Sequence, residues 1–220
     1  MKISKRLQEI SKFVDNNSNI IDVGCDHALL DIYLFNNKEN VKIIASDIKE
    51  GPLNQAKKNI AKYGCNIKTK LGFGISTIEE ENDTIIITGM GGDTIIDILQ
   101  EGKDKLTNVK RIIISPQSEW KKVRKYLVEL GFYIKNEKII KDNKYYLILK
   151  FEKGIKKYTN RELEFGPILL KHKSSDFLNY YNNILQDTLK VLKKIPIYKI
   201  KDQVTTRKRI CLLRKILKNE

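Results

Sequence analysis

Asn19-Ile20-Ile21-Asp22-Val23-Gly24-Cys25-Asp26-His27-Ala28-Leu29-Leu30 reads as a short buried strand, a tight turn and the start of a helix. Ile20, Ile21 and Val23 suit a strand packed on both faces. Gly24 has no Cβ, so the chain can turn sharply there and a ligand can approach closely. Asp26 is placed to cap the helix, whose first N–H groups would be free. Strand, turn and helix, with a glycine and two acids at the junction, predict a small-molecule site at the C-terminal edge of a parallel sheet.

The segments on either side repeat this unit. Lys2 to Val14 has Ile3, Leu7, Ile10, Phe13 and Val14 at helical spacing, with Lys5, Arg6 and Lys12 on other faces. The helix after the turn runs from about His27 to Phe35. Val41–Ser46 is a second strand, ending at Asp47, and Gly51-Pro52 opens a helix that Gly64 stops. Ile67–Leu71 is a third strand, followed by Gly72-Phe73-Gly74. Thr84–Thr88 is a fourth, followed by Gly89-Met90-Gly91-Gly92 and a helix that Asp93 is expected to cap. Val109–Ser115 is a fifth, with a helix over Ser118–Leu130. Phe132–Ile140 and Tyr145–Glu152 form a hairpin around Lys141-Asp142-Asn143-Lys144. Five strand–helix alternations and a terminal antiparallel pair predict an α/β fold. The count matches a seven-stranded, mostly parallel, Rossmann-like sheet of the methyltransferase type better than a six-stranded dinucleotide-binding sheet.

From residue 154 the pattern turns helical. Gly166-Pro167 breaks two short pieces, and Ser174-Ser175-Asp176 reads as an N-cap region. Phe177 to Leu192 recurs at three- and four-residue spacing, Pro196 ends that helix, and a last helix covers about Lys201 to Lys218. The two long helices make an antiparallel, coiled-coil-like hairpin. We divide the chain into a cofactor-binding domain, 1–153, and a basic helical domain, 154–220. The net charge is +15. Residues 1–152 hold 25 Lys+Arg against 21 Asp+Glu, a net +4, and residues 153–220 hold 17 against 6, a net +11. Compositional bias alone would raise lysine throughout, so the step at residue 153 points to a polyanion, nucleic acid rather than membrane. No apolar run is long enough to span a bilayer, and the N-terminus lacks a signal core, so a cytoplasmic protein is expected. Cys25, Cys65 and Cys211 form no CxxC pair and there are two histidines, so no metal is expected.

The turn after the first strand has one glycine, where a dinucleotide fingerprint needs three, and acids where a pyrophosphate would lie. Two negative charges repel a diphosphate. They suit a ligand with an ammonium group and a positive sulfur, S-adenosylmethionine. Asp22, Gly24, Cys25, Asp26 and His27 are therefore candidate cofactor residues. Asp47, 23 positions after Gly24, can accept both ribose hydroxyls, with Ile48 beside it. Gly72, Phe73 and Gly74 offer a loop for the adenine, and Thr88 and Gly89 close the set. The loop through Met90 is glycine-rich and carries no polar pair to grip an exocyclic amine. That favours a ring nitrogen acceptor, which needs mainly alignment and desolvation. Gln117 could hydrogen-bond a base edge and Trp120 could stack on one, with Lys121, Lys122, Arg124 and Lys125 nearby. Arg207, Lys208 and Arg209 in the last helix complete the candidate nucleic-acid contacts.

With these residues in view, the chain resembles the bacterial tRNA adenine-N1-methyltransferase family that modifies the adenine at tRNA position 22. The carrying segments are Asp22-Val-Gly-Cys-Asp-His-Ala28, Ala45-Ser-Asp-Ile48, Leu71-Gly-Phe-Gly-Ile75, Ile87-Thr-Gly-Met-Gly-Gly92, Pro116 to Arg124, and Phe165-Gly-Pro-Ile-Leu-Leu170. The sequence departs from the family pattern at Phe73, where a small polar or acidic residue is expected, and at Gln117, where asparagine is. The resemblance implies a class I methyltransferase fold with a C-terminal helical hairpin, S-adenosylmethionine as cofactor and tRNA as substrate, with no obligate protein partner. Asp26, His27 and Met90 are then the candidates at the reacting centre. Asp26 serves either the developing charge on the base or the methionine part of the cofactor. Two alternatives stand beside this reading: a methyltransferase for another RNA site, and a non-catalytic RNA-binding protein on the same fold. Truncation at Gly154 is expected to keep cofactor binding and lose tRNA.

Overall fold

The computed structural model describes residues 1 and 3–218. The expected first helix began at Lys2, which lies outside them, as do Asn219 and Glu220. The observed helix, α1, is shorter, Lys5–Ser11, and Ser4 caps it by accepting from the Leu7 N–H.

Seven strands form one sheet: β1 (Asn19–Val23), β2 (Lys42–Asp47), β3 (Lys68–Leu71), β4 (Thr84–Thr88), β5 (Arg111–Ser115), β6 (Phe132–Asp142) and β7 (Lys144–Lys153). Their spatial order is β3-β2-β1-β4-β5-β7-β6, with β7 antiparallel to both its neighbours, β5 and β6, and the other pairs parallel. The strand order reverses between β1 and β4, where such sheets open a crevice. The register places Val23 opposite both Ser46 and Ile87. The turns after β1, β2 and β4 therefore leave the sheet at one level.

Period-two alternation sorts the strand side chains onto two faces. Ile21, Val23, Ile44, Ile85, Ile87, Ile112 and Ile114 share one core with α4 (Gly92–Glu101) and α5 (Trp120–Glu129). Ile20, Ile43, Ala45, Ile86 and Ile113 share the other with α1, α2 (Leu29–Asn37) and α3 (Glu50–Lys62). Strands of this kind, buried on both faces, explain the unbroken apolar runs of the sequence.

The C-terminal segment holds α6 (Asn160–Phe165), α7 (Pro167–His172), α8 (Ser175–Lys194) and α9 (Ile200–Leu217). Ser174 caps α8, accepting from the Phe177 N–H. Phe165, Leu169, Phe177, Tyr181, Leu185, Ile210, Leu213 and Ile216 join the first core. Truncation at Gly154 would strip these side chains from the sheet and uncover that core. Around the Pro196 turn, Ile197, Tyr198 and Ile200 are exposed.

Two expected caps are absent. Asp26 does not cap α2: the N-cap is Ala28, and no side chain accepts there. Asp93 does not cap α4 either. The N-cap is Gly91, and Asp93 lies in the first turn, paired with Lys122 across to α5.

Candidate active site

The turn after β1 is held against β2, with Gly24 N–H and Cys25 N–H both donating to Ser46 O, at 2.8 and 3.0 Å. Gly24, Asp26 and Ala28 all take left-handed backbone conformations, at φ +76°, +52° and +55°. For the two non-glycines this costs about 1–2 kcal/mol each. Such strain persists only where the surroundings over-determine it, and it clusters at ligand clamps. A Cβ at Gly24 would meet the Met90 methyl, the end of a flexible side chain that can move aside, so it is φ that requires glycine here.

A cavity of about 530 Å³ opens at this level of the sheet, within the range of small-molecule sites. Every expected cofactor residue lines it. Asp22, Gly24, Cys25, Asp26 and His27 come from the turn after β1, and Asp47 and Ile48 from the end of β2. Gly72, Phe73 and Gly74 follow β3, and Thr88, Gly89 and Met90 end β4. Gln117, placed earlier with the nucleic-acid contacts, lines it too. Its side-chain amide donates to Gly89 O at 2.6 Å and its backbone N–H to Met90 O at 2.9 Å, so it also holds the β4 loop in shape.

The floor is acidic. Asp22 is buried, and burial, with the charge of Asp47 adding, raises its carboxyl to about 7. Behind it lies Asp31 on α2, fully buried, its carboxyl raised by burial and then by Asp22. Neither Asp31 oxygen, nor Asp22 Oδ1, has a hydrogen-bonding partner among the described residues. Two carboxyls in contact without donors cannot both ionise, and one proton serves the pair. The sequence reading missed Asp31. Its signal was an acid alone in the apolar run Leu29-Leu30-Asp31-Ile32. Burial, then Asp22 and Asp31, also push the Cys25 thiol up, so it stays protonated. Asp47 Oδ1 accepts from the Lys49 N–H at 2.9 Å, while Oδ2 takes no protein donor among the described residues. Asp26 and His27 are exposed at the mouth, with Nε2 and Oδ1 3.7 Å apart.

This set fits S-adenosylmethionine. An orphaned acid oxygen under a glycine cradle, and a second acid with a free oxygen one strand away, answer a cation and a pair of ribose hydroxyls. They would repel a pyrophosphate.

The candidate nucleic-acid residues divide. Arg124 cannot hold a phosphate: it is fully buried, and its Nε and Nη2 lie 3.1 Å from Glu137 Oε2. Burial raises the Glu137 carboxyl, and Arg124 and the Ile168 and Leu169 N–H groups pull it back. A side chain at Gly166 (φ +89°) would strike that carboxylate, so the Gly166-Pro167 break seats α7 on it. Trp120 is not open for stacking on a base from both sides. Its ring stacks on Tyr180 at 4.9 Å and its Nε1–H donates to Pro116 O, tying α5 to α8. Lys121 and Arg209 both pair with Glu164, at 3.3 and 2.6 Å. Lys122 and Lys125 make exposed pairs with Asp93 and Glu129, of the kind that contribute little and are easily exchanged. Arg207 and Lys208 are exposed on α9.

Comparisons with known proteins agree with this geometry. The sequence profile of the TrmK family, tRNA (adenine(22)-N(1))-methyltransferase, matches residues 20–219. A Bacillus subtilis protein of that description is 35% identical over 205 residues, covering 89% of this chain and 86% of its own. A Streptococcus pneumoniae protein, Sp1610, solved in complex with S-adenosyl-L-methionine, superposes with a TM-score of 0.90 at 32% identity, covering 99% of this chain and 100% of that one. TrmK of M. capricolum, solved with S-adenosyl-homocysteine, gives 0.87 at 31% identity, covering 99% and 98%. With the motifs, the sheet and the acid-lined cavity in agreement, the chain belongs to the tRNA (adenine(22)-N(1))-methyltransferase family.

Proposed function

We propose that this protein transfers the methyl group of S-adenosylmethionine to N1 of the adenine at position 22 of tRNA. The observation that carries the reading is the pairing of an acid-floored cavity with the loop Thr88 to Gly92, whose groups at the cavity are mostly backbone and a thioether. N1 of adenine already has a lone pair and no proton to lose. Its acceptor site therefore needs alignment and exclusion of water rather than a general base. The cofactor supplies an electrophilic methyl group on a positive sulfur.

Asp47 is assigned to the ribose hydroxyls, Asp22 to the positive methionine end, and the loop Gly72–Gly74 to the adenine of the cofactor. Met90, lying against Gly24, shapes the meeting point of methyl and base. Asp26, at the mouth, is assigned to the positive charge that develops on the methylated ring. His27 borders the base. N1 is paired in a duplex, so the adenine must enter unpaired or flipped.

Residues 1–153 are assigned cofactor and chemistry, and 154–220, together with the lysines of α5, tRNA. Lys121, Lys122, Lys125, Arg207, Lys208 and Arg209 supply the phosphate contacts. No helix among the described residues is long and apolar enough to cross a membrane. We place the enzyme in the cytoplasm, acting without an obligate protein partner.

The test is nucleoside mass spectrometry of tRNA before and after incubation with the purified chain and S-adenosylmethionine. We expect 1-methyladenosine at position 22. A product at another position, or none in any tRNA, overturns the proposal.

A further inference from the structure

Beside the cofactor cavity lies a second hollow, of about 370 Å³. The two share a wall. Gln117 lines both, and its backbone and side-chain N–H groups donate to Met90 O and Gly89 O. Next to Gln117 the loops after β4 and β5 meet backbone to backbone. A Cβ at Gly92 would stand 2.6 Å from Ser118 O, and the Gly92 N–H donates to Ser118 Oγ at 3.2 Å. The hollow is therefore held at a fixed place beside the point where methyl and base meet.

Its walls carry two kinds of group. Trp120, from the first turn of α5, and Tyr180, from α8, stack at 4.9 Å and are only half-buried, so ring surface is left open. Lys121 of α5 and Arg209 of α9 share one acid, Glu164 of α6, at 3.3 and 2.6 Å. Burial raises the Glu164 carboxyl, and the two cations pull it below its ordinary value, so it is ionised at neutral pH. Arg124 holds the end of α6 in place, donating to Leu163 O and Glu164 O at 3.3 and 3.4 Å. One carboxylate between two cations leaves the trio with a net positive charge and N–H donors to spare. The other acid on the wall, Glu119, is exposed.

Ring surface beside unspent cation donors suits a nucleotide, with the base on the rings and the phosphate on the cations. The shared wall says which nucleotide. An adenine turned out of its stack into the cofactor cavity draws the backbone of its neighbours to the mouth, and Gln117 stands between that mouth and the hollow. We propose that the hollow binds a nucleotide next to the target adenine of the tRNA, its base against Trp120 and Tyr180 and its phosphate at Lys121 and Arg209. The inference rests on the reading that an adenine of tRNA enters the cofactor cavity.

Trp120 is the one tryptophan of the chain, so its fluorescence reports on this hollow. Intact tRNA is expected to quench it, because a base stacked on an indole does so. The comparison is with tRNAs that lack the base immediately 5′ or 3′ of the target adenine. Removing at least one of the two bases is expected to abolish most of the quench and to weaken binding about 10- to 100-fold in filter assays, the range of one stacked base. Trp120→Leu should bind intact tRNA more weakly by a similar factor and lose nothing further when that base is removed, and Trp120→Phe should recover most of the affinity. A quench that both abasic tRNAs reproduce in full overturns the proposal, as does no quench where filter binding shows tRNA bound; neither result depends on a variant folding. 1-Methyladenosine measured in the same wild-type samples separates the hollow from the reaction. Product without a base-dependent quench removes the hollow and leaves the reaction standing. A base-dependent quench without product leaves the hollow as an RNA site and removes the reaction.

Discussion

Replacing Asp31 by asparagine tests the buried acid pair beneath the cofactor cavity. Asp22 and Asp31 are 3% and 0% exposed, with no donor to either Asp31 oxygen among the described residues. Asp22 is raised from an ordinary 3.8 to about 7. The folded chain therefore keeps a proton that the unfolded chain releases near pH 4. The folded state binds more protons through this window, so stability falls as pH rises from about 4 to about 7, and it goes on falling above that while Asp31 keeps its proton. The climb spans roughly three pH units at about 1.36 kcal/mol each, so about 4 kcal/mol of folding stability is lost across it. Asparagine removes the Asp31 carboxyl, whose proton the folded chain must hold well above the usual carboxylate range, and keeps a donor for the Asp22 carboxylate. Asp31→Asn should match wild type at pH 4.5 within about 1 kcal/mol and exceed it at pH 8.5 by about 1–3 kcal/mol. Urea unfolding followed by the fluorescence of Trp120, at intervals across that range, gives the profile. Two parallel profiles, separated by the same free energy at every pH, would refute the shared proton.

The same pair makes cofactor binding pH-dependent. Ionised Asp22 attracts a cation better than protonated Asp22, so affinity for S-adenosylmethionine should rise through about pH 7 with proton release, read by calorimetry in buffers of different ionisation enthalpy. Arg124→Met should destabilise the fold by about 3–5 kcal/mol in urea titrations, because it leaves the Glu137 carboxylate buried and unpaired. The same variant should leave cofactor affinity unchanged at temperatures where it is folded. Arg207→Gln and Lys208→Gln should each lower the salt slope of tRNA binding by about one, measured by filter binding across a salt series. An unchanged slope would remove that face of α9 from the phosphate contacts.

What was legible in the sequence was whatever depended on neighbours along the chain. Strand runs such as Thr84–Thr88 and Arg111–Ser115 are apolar because both faces are covered, and they could be found without a structure. The glycines and acids at the ends of β1 to β4 follow from the same local logic, which is why they line one cavity. Capping was less legible. Asp26 has the right residue type and position for an N-cap, yet it stands left-handed in the turn, and Ala28 begins the helix instead. Nothing in the sequence marks an alanine for φ +55°, since only the packing around it makes that conformation necessary. Arg124 looked like one more cation in Lys121-Lys-Val-Arg-Lys125. Its partner Glu137 is on β6, and the pairing exists only once α5 lies against that strand.

Two residues escaped sequence reading for one cause: Asp31, buried against Asp22, and Arg6, which lines the cavity from α1. Each enters the cavity region from a helix whose period was already explained by burial. The α1 segment was accounted for by Ile10 and, just past the helix, Phe13 and Val14, and α2 by Leu30, Ile32 and Leu34, so a charged residue on either looked like an ordinary departure from the pattern. The energetics say otherwise. An acid on the buried side of a helix is costly unless something shares its charge, and here Asp22 does so at the floor of the cavity. An arginine whose guanidinium is stacked on a ring, with no acid within reach among the described residues, has lost rotamer freedom without a compensating ion pair. In both cases the missing compensation is electrostatic and lies in the cavity. A sulfonium ligand supplies a positive charge for the ionised Asp22. Cofactor binding at one fixed concentration should therefore raise the melting temperature more above about pH 7 than below it, a difference that thermal unfolding with and without S-adenosylmethionine measures directly.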